Sequence, residues 1–305
     1  MADDMVAVDH VSSTTARALA SPRLGSQSEW FRVWRRLRRN RPALAGLAIV
    51  VVIALLALFP EAVAPYSPYV VSSSLRGGGP SAAHPFGMDQ VGRDVLSRVI
   101  YGARVAMLVG LAATGLSLLV GVLVGATAGY FGGIVDVVLM RLVDALQAFP
   151  ILVLLIAIAA ALGPSLGHVI VILGLTTWAQ YARVVRADVL SLREREFVLA
   201  ARTLGVPNAR IILRHILPNA LGPIIVLASL SVAGVILLES ALSFLGLGTQ
   251  PPAASWGSML ADGRTYILTY PHIALFPGLA ITLAVLAFNL LGDGLRDALD
   301  PRTRT

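Results

Sequence analysis

The chain has 305 residues, of which 56% are hydrophobic and only 13% charged, with a mean hydropathy of +0.78. That composition excludes an ordinary soluble domain and fits an all-α polytopic membrane protein. The formal charge of +7 comes from arginines, with no lysine in the chain, and they flank hydrophobic runs where membrane orientation accounts for them, so no nucleic-acid partner is expected. The absence of cysteine removes disulfides, thiolate nucleophiles and cysteine metal sites.

Residues 1–28 mix Asp, Ser, Thr, Ala and Arg without a period, as a disordered tail does. Trp30, Phe31, Val33, Trp34 and Leu37 then share one side of a helical wheel, opposite Arg32, Arg35, Arg36 and Arg39. This is either a helix lying among lipid headgroups or a basic flank that orients the first span. The first span is predicted from Ala43 to Phe59, about 26 Å at helical rise, and 29–80 is set apart as an N-terminal extension. A Pro-, Gly- and Ser-rich external loop follows to about Gly102.

The second span, predicted over Ala103 to Tyr130, carries Ser117, Gly121, Gly125 and Gly129 at four-residue intervals. Such a small-residue stripe lets another helix approach closely, in a dimer seam or within the same bundle. A third span is expected over Val137 to Leu162, broken at Pro150. The fourth covers His168 to Val185, the fifth Asn219 to Leu238, and the sixth Pro271 to Leu291. Residues 239–267 are expected to be external loop with at most one short helix, and 294–305 a tail.

Six spans place both termini on one side. Eight arginines precede the first span and seven lie between Arg183 and Arg214, while the loops at 163–167 and 239–270 carry only Arg264. By the positive-inside rule both termini and residues 191–218 are cytoplasmic.

Ser191 to Pro218 is the longest polar interruption between hydrophobic runs. Leu190, Phe197, Ala201 and Leu204 fall on one helical face, and Arg195, Leu199, Arg202 and Thr203 on the opposite one. Gly205 is expected to end this helix. Pro207 then suits the first turn of a second helix, which Pro218 closes. The product is a helix, a glycine corner and a second helix under the bilayer, either a lever for a partner or a hairpin resting on anionic lipid.

The segment resembles the EAA loop of bacterial ATP-binding-cassette (ABC) importer permeases: an Ala pair (Ala200, Ala201), Gly205 four residues later, and Leu217 and Pro218 at the close. It departs from that pattern at Leu199, where the motif has Glu, and at His215, where Ile is usual. HPFGMDQVGRDVLSRVIYGAR at 84–104, FPILVLL at 149–155, REREFVLAAR at 193–202, ESALSFLGLGTQPPAASWGSML at 239–260 and GDGLRDALDPR at 292–302 are similar to the C-type permeases of dipeptide, oligopeptide and nickel importers.

That resemblance implies a type I ABC importer transmembrane domain over 103–293, in the cytoplasmic membrane of a bacterium. It implies a second, homologous permease, two ABC ATPase subunits and an extracytoplasmic substrate-binding protein as partners, with membrane lipid around them. Leu199, Ala200, Ala201, Arg202, Gly205 and Pro218 would couple to the ATPase, and Ser117, Gly121, Gly125 and Gly129 would pack helices. The cargo would be a dipeptide or oligopeptide, with nickel or glutathione as the alternative. ATP and Mg would sit on the partners, and this chain would bind no cofactor and no metal and catalyse nothing; it has no G-x-x-x-x-G-K-[ST] loop to cradle phosphates.

Among charged residues in the spans, Arg141 and Asp144 are one turn apart and are expected to pair. Glu239, at the outer end of the fifth span, is expected to reach water. Asp144 and Glu239 would serve as relays in a proton-coupled transporter, the rival from another class. Ser240 or Ser243 with His272 is the one nucleophile and base pairing an intramembrane hydrolase would have.

Overall fold

The computed structural model describes residues 29–299. The tail expected at 1–28, the last residues 300–305, and the side chains of Glu29, Trp30 and Arg32 lie outside the described residues. Those described form α-helices joined by turns and loops, with one isolated bridge between Met88 and Asp94.

A short basic helix, α1 (Glu29–Leu37), precedes α2 (Arg41–Leu58). The Asn40 side chain caps α2 by accepting from the Ala43 amide at 3.1 Å, with proline in the first turn where a missing N–H costs nothing. Single-turn α3 (Pro60–Val63) leads into a loop that ends at α4 (Val95–Phe131). After a glycine turn come α5 (Gly133–Gln147) and α6 (Ile151–Leu162), bent 83° from each other at Pro150. Next are α7 (Leu166–Leu192) and the short α8 (Glu196–Thr203). α9 (Asn208–Ile211), a π-helical turn (Ile212–Ile216) and α10 (Leu217–Phe244) run on as one rod. α11 (Trp256–Arg264) and α12 (His272–Leu299) complete the described chain.

Five helices, α2, α4, α7, the α9–α10 rod and α12, are long and apolar enough to cross a membrane, and the bent α5–α6 pair makes a sixth if counted as one span. The span order therefore matches the expected one, but several boundaries move, among them the end of the fourth span, at Leu192 rather than Val185. α4 begins at Val95 rather than 103, because Asp94 caps it: its carboxylate accepts from the Ser97 amide and hydroxyl, both at 2.7 Å. Arg98 is 3% exposed there, beside Asp89 at 3.7 Å and the Pro68 carbonyl at 3.4 Å. The fifth span starts at Asn208 and reaches Phe244 instead of stopping at Leu238. α12 likewise runs to Leu299, so 294–299, expected as tail, is helix.

The tightest seam joins α4 to α7. A Cβ added at Gly121 would lie 2.4 Å from the Tyr181 Cβ, and one at Gly125 2.5 Å from the Ala182 carbonyl. At Gly129 it would lie 2.9 Å from the Arg186 carbonyl. Ser117 adds a hydrogen bond to the Gly174 carbonyl at 2.9 Å and a hydroxyl pair with Thr177 at 2.6 Å. The small-residue stripe is thus filled by a helix of the same chain, and the close approach maximises dispersion contacts where lipid offers no hydrophobic drive.

At one end of the bundle the loops fold into a polar-anchored cap. Trp256 donates to the Val99 carbonyl at 2.8 Å, His272 bonds the Met88 carbonyl at 3.0 Å, and Phe86 stacks on Phe276 at 3.9 Å. At the other end α1 lies against the C-terminal part of α12, where Arg36 reaches the Ala298 carbonyl at 3.3 Å and Asn40 reaches Asp297 at 3.4 Å. The two ends of the described chain therefore meet on one side. Leu37 is buried in that contact, whereas Phe31 and Trp34 stay exposed.

Candidate functional site

Leaving α7, the chain turns at 193–195 and forms α8, whose end is fixed by local hydrogen bonding. Gly205 has φ +72, its amide bonds the Arg202 carbonyl at 2.9 Å, and the Val206 amide bonds the Ala201 carbonyl at 3.1 Å. This 5→2 and 6→1 pair is a Schellman motif, and it needs a left-handed residue that glycine supplies without a Cβ penalty. Pro207 follows as the N-cap of α9, one position before the first turn it was expected to enter. Helix, glycine corner and helix stand as expected.

The faces do not. Val198 and Ala201 are the buried residues of α8, while Phe197, Leu199 and Leu204 are exposed, Leu204 by 81%. The expected wheel started at Leu190, which belongs to α7, so the turn at 193–195 rotates the true face away from it. Pro218 also fails to close a helix. The π turn before it, with Leu217 donating to the Ile212 carbonyl, absorbs the disruption that a proline ring causes in an α-helix, and α10 continues.

One cluster joins this unit to the spans: Val198 and Ala201 pack with Ile211 and Ile216, with Ala126 and Tyr130 of α4, and with Val185 and Val189 of α7. Three polar contacts reinforce it. The Tyr130 hydroxyl donates to the Asn208 side chain at 2.8 Å, Arg193 reaches the Gly129 carbonyl at 3.0 Å, and the Arg202 guanidinium sits 4.8 Å from the Tyr130 ring. Tyr130, Arg193 and Asn208 were missed from sequence, because each contact spans 64 or more positions; the one hint was Tyr130 closing the glycine stripe.

Of the residues singled out, Ala201 faces inward, whereas Leu199, Ala200, Arg202, Gly205 and Pro218 are exposed. Ser117, Gly121, Gly125 and Gly129 lie along α4 and lead down to Tyr130, so the two groups meet at the base of that helix. The exposed face of the corner combines Phe197, Leu199, Leu204 and Leu213 with Arg195, Arg202, Arg210 and Arg214. Apolar and cationic side chains mixed on a projecting element suit a protein groove with acidic edges.

Elsewhere two expectations are corrected. Asp144 pairs with Arg183 of α7 at 2.7 Å rather than with Arg141, and next to it Asp136 takes Arg186 through two bonds of 2.5 and 2.6 Å. Glu239 does not reach water: it is 1% exposed, accepting from Ser243 at 2.7 Å and Ser240 at 3.4 Å. The rod continues past it and the following loop folds back, with the Thr249 amide on the Ser243 hydroxyl at 3.2 Å. Ser243 is thereby bonded to a carboxylate and His272 to a backbone carbonyl, so no nucleophile and base pair forms between them. No group of three metal-ligating side chains occurs among the described residues.

Residues 121–305 match the family described as binding-protein-dependent transport system inner membrane component, and residues 28–77 match the N-terminal TM domain of oligopeptide transport permease C. The chain is 45% identical over 278 residues to a dipeptide transport system permease protein of Alkalihalophilus pseudofirmus, covering 91% of each. It is 45% identical to the dipeptide transport system permease protein of Bacillus subtilis, over 89% of this chain and 85% of that one. A glutathione transport system permease protein of Escherichia coli is 41% identical, over 91% of this chain and 92% of the other. Among solved structures, a chain of the inward-facing MetNI methionine ABC transporter superposes with a TM-score of 0.55 at 17% identity, covering 67% of this chain and 97% of that one.

Proposed function

Because this chain belongs to the family of binding-protein-dependent transport system inner membrane components, we propose that it forms half of the membrane path of an ABC importer for short peptides. It is a transport subunit, and the energy enters at 191–218. The observation that carries this is the apolar cluster that ties the glycine corner to α4, α7 and the α9–α10 rod: a displacement of α8 is passed to three spans at once.

In this reading a second, homologous permease completes the path, and two ABC ATPase subunits bind ATP and Mg. An external binding protein delivers the cargo. Leu199, Ala200, Arg202 and Gly205 face the ATPase, Ala201 braces the corner from inside, and Pro218 sits where the corner feeds into α10. Both termini and the corner are cytoplasmic, as the arginine distribution supports. The N-terminal extension 29–80 flanks the five-span core. Peptide cargo is favoured by the two dipeptide permeases at 45% identity, with glutathione, itself a short peptide, as the second reading.

The test is uptake into proteoliposomes holding the complete transporter. Dipeptide accumulation that requires ATP and the partner ATPase is the expected result. Accumulation driven by a pH gradient alone would overturn the reading.

A further inference from the structure

The 83° break between α5 and α6 opens on a cavity of about 450 Å³. Its polar lining comes from Gln147 at the break, Thr176, Thr177, Gln180 and Tyr181 on α7, and Ser231 on α10. Counted from the outer ends of their helices at Leu162, Leu166 and Phe244, the break, Gln180 and Ser231 all lie roughly 20 Å deep. That is well inside a hydrocarbon layer about 30 Å thick.

Gln147 and Gln180 are both exposed, and no hydrogen bond engages either amide among the described residues. Two bare carboxamides turned toward lipid would be costly, so this face meets water or polar cargo instead. The Tyr181 hydroxyl is buried beside Ser231 and backs the wall behind the two amides. By contrast the threonine hydroxyls are already committed, Thr176 to the Ile172 carbonyl and Thr177 to the Leu173 carbonyl, each at 2.7 Å. A larger cavity of about 570 Å³ between α2, α4 and α12 has only apolar side chains and Trp256 around it, and the Trp256 indole is already committed to the Val99 carbonyl.

We propose that this cavity is the chain's share of the cargo passage and that Gln147 and Gln180 hold the backbone of a short peptide; this rests on the importer reading above. A glutamine amide offers one carbonyl and two N–H donors, so it pairs with a peptide group as another peptide group would. No Asp, Glu, Arg or His lines the cavity. The grip falls on the backbone common to all peptides, is indifferent to side-chain charge, and is poor for a bare divalent cation, which seeks carboxylates or imidazole.

The chain has no native cysteine, so a single introduced thiol reports on its own position. In membranes carrying the complete transporter, Gln180→Cys is expected to react with a charged, water-soluble maleimide, read as added mass on this chain, and to be protected by dipeptide. Val52→Cys, in the apolar cavity, is expected to stay unreacted. A Gln180→Cys as inert as Val52→Cys would overturn the proposal. The double variant Gln147→Leu with Gln180→Leu is expected to cut dipeptide uptake at least tenfold with the amount of assembled transporter in the membrane unchanged; unaltered uptake would also overturn it. Failure of the unmodified transporter to import any peptide would instead strike the reading beneath, and the maleimide result would still separate a passage from a lipid-facing wall.

Discussion

Gly205 holds φ +72 with nothing within 4 Å of where a Cβ would stand. A side chain there meets backbone strain rather than a clash, so Gly205→Ala should cost about 1 kcal/mol in local stability, and Gly205→Asn less, since Asn tolerates the left-handed region. Gly205→Asp should still assemble in the membrane but lose peptide-stimulated ATP hydrolysis, because it adds a charge to the exposed face of the corner proposed to meet the ATPase; retained stimulation would count against docking there. Tyr130 is the complementary case. Tyr130→Phe keeps the ring beneath Arg202 and removes the bond to Asn208, worth about 1 kcal/mol. Faster hydrogen exchange confined to 196–211, with an unchanged melting temperature, is the expected signature.

Between elements, the α4–α7 seam admits a paired comparison. A Cβ at Gly125 would press on the Ala182 carbonyl at 2.5 Å, whereas one at Gly115 on the same helix meets nothing within 4 Å. Gly125→Val should therefore lower the melting temperature of the purified protein markedly, by the 1–3 kcal/mol typical of overpacking. Gly115→Ala should be neutral or slightly stabilising, since alanine is the better helix former; equal effects would show that the seam yields. This seam could be read in the sequence because Ser117, Gly121, Gly125 and Gly129 repeat along one helix. Gly205 could be read because a glycine corner is a local device. What escaped depended on distant parts of the chain. The partner of Asp144 lies 39 positions away, at Arg183; Glu239 is buried by a loop that returns over it; and the buried face of α8 is set by a turn that no wheel drawn from Leu190 includes. The polar cavity was missed for the same reason: Gln147, Gln180 and Ser231 are unremarkable until three helices bring them to one depth.

For the molecule as a whole, the orientation proposed above puts the arginine-rich end, where α1 meets the end of α12, in the cytoplasm. Leu268 is 97% exposed at the capped end, and Ala209 is exposed at the other. In intact cells an impermeant maleimide should label Leu268→Cys and not Ala209→Cys, and disruption of the membrane should expose the second; the reverse pattern would invert the topology. One consequence of the glycine seam belongs at this scale. With backbone packed on backbone and a side chain of α7 seated at each glycine, α4 and α7 cannot slide or roll on each other without losing several contacts together, so they form a single girder. The α5–α6 limb is held differently: the Asp136–Arg186 and Asp144–Arg183 ion pairs, rather than backbone on backbone, tie it to α7, it is cut at Pro150, and Val137, Val138, Leu152 and Val153 on it are exposed within the chain. The molecule is thus divided into a stator and a leaf, and the leaf carries one wall of the polar cavity. The opening and closing of that cavity is expected to be a swing of the leaf, with the girder keeping its shape from one end of the membrane to the other.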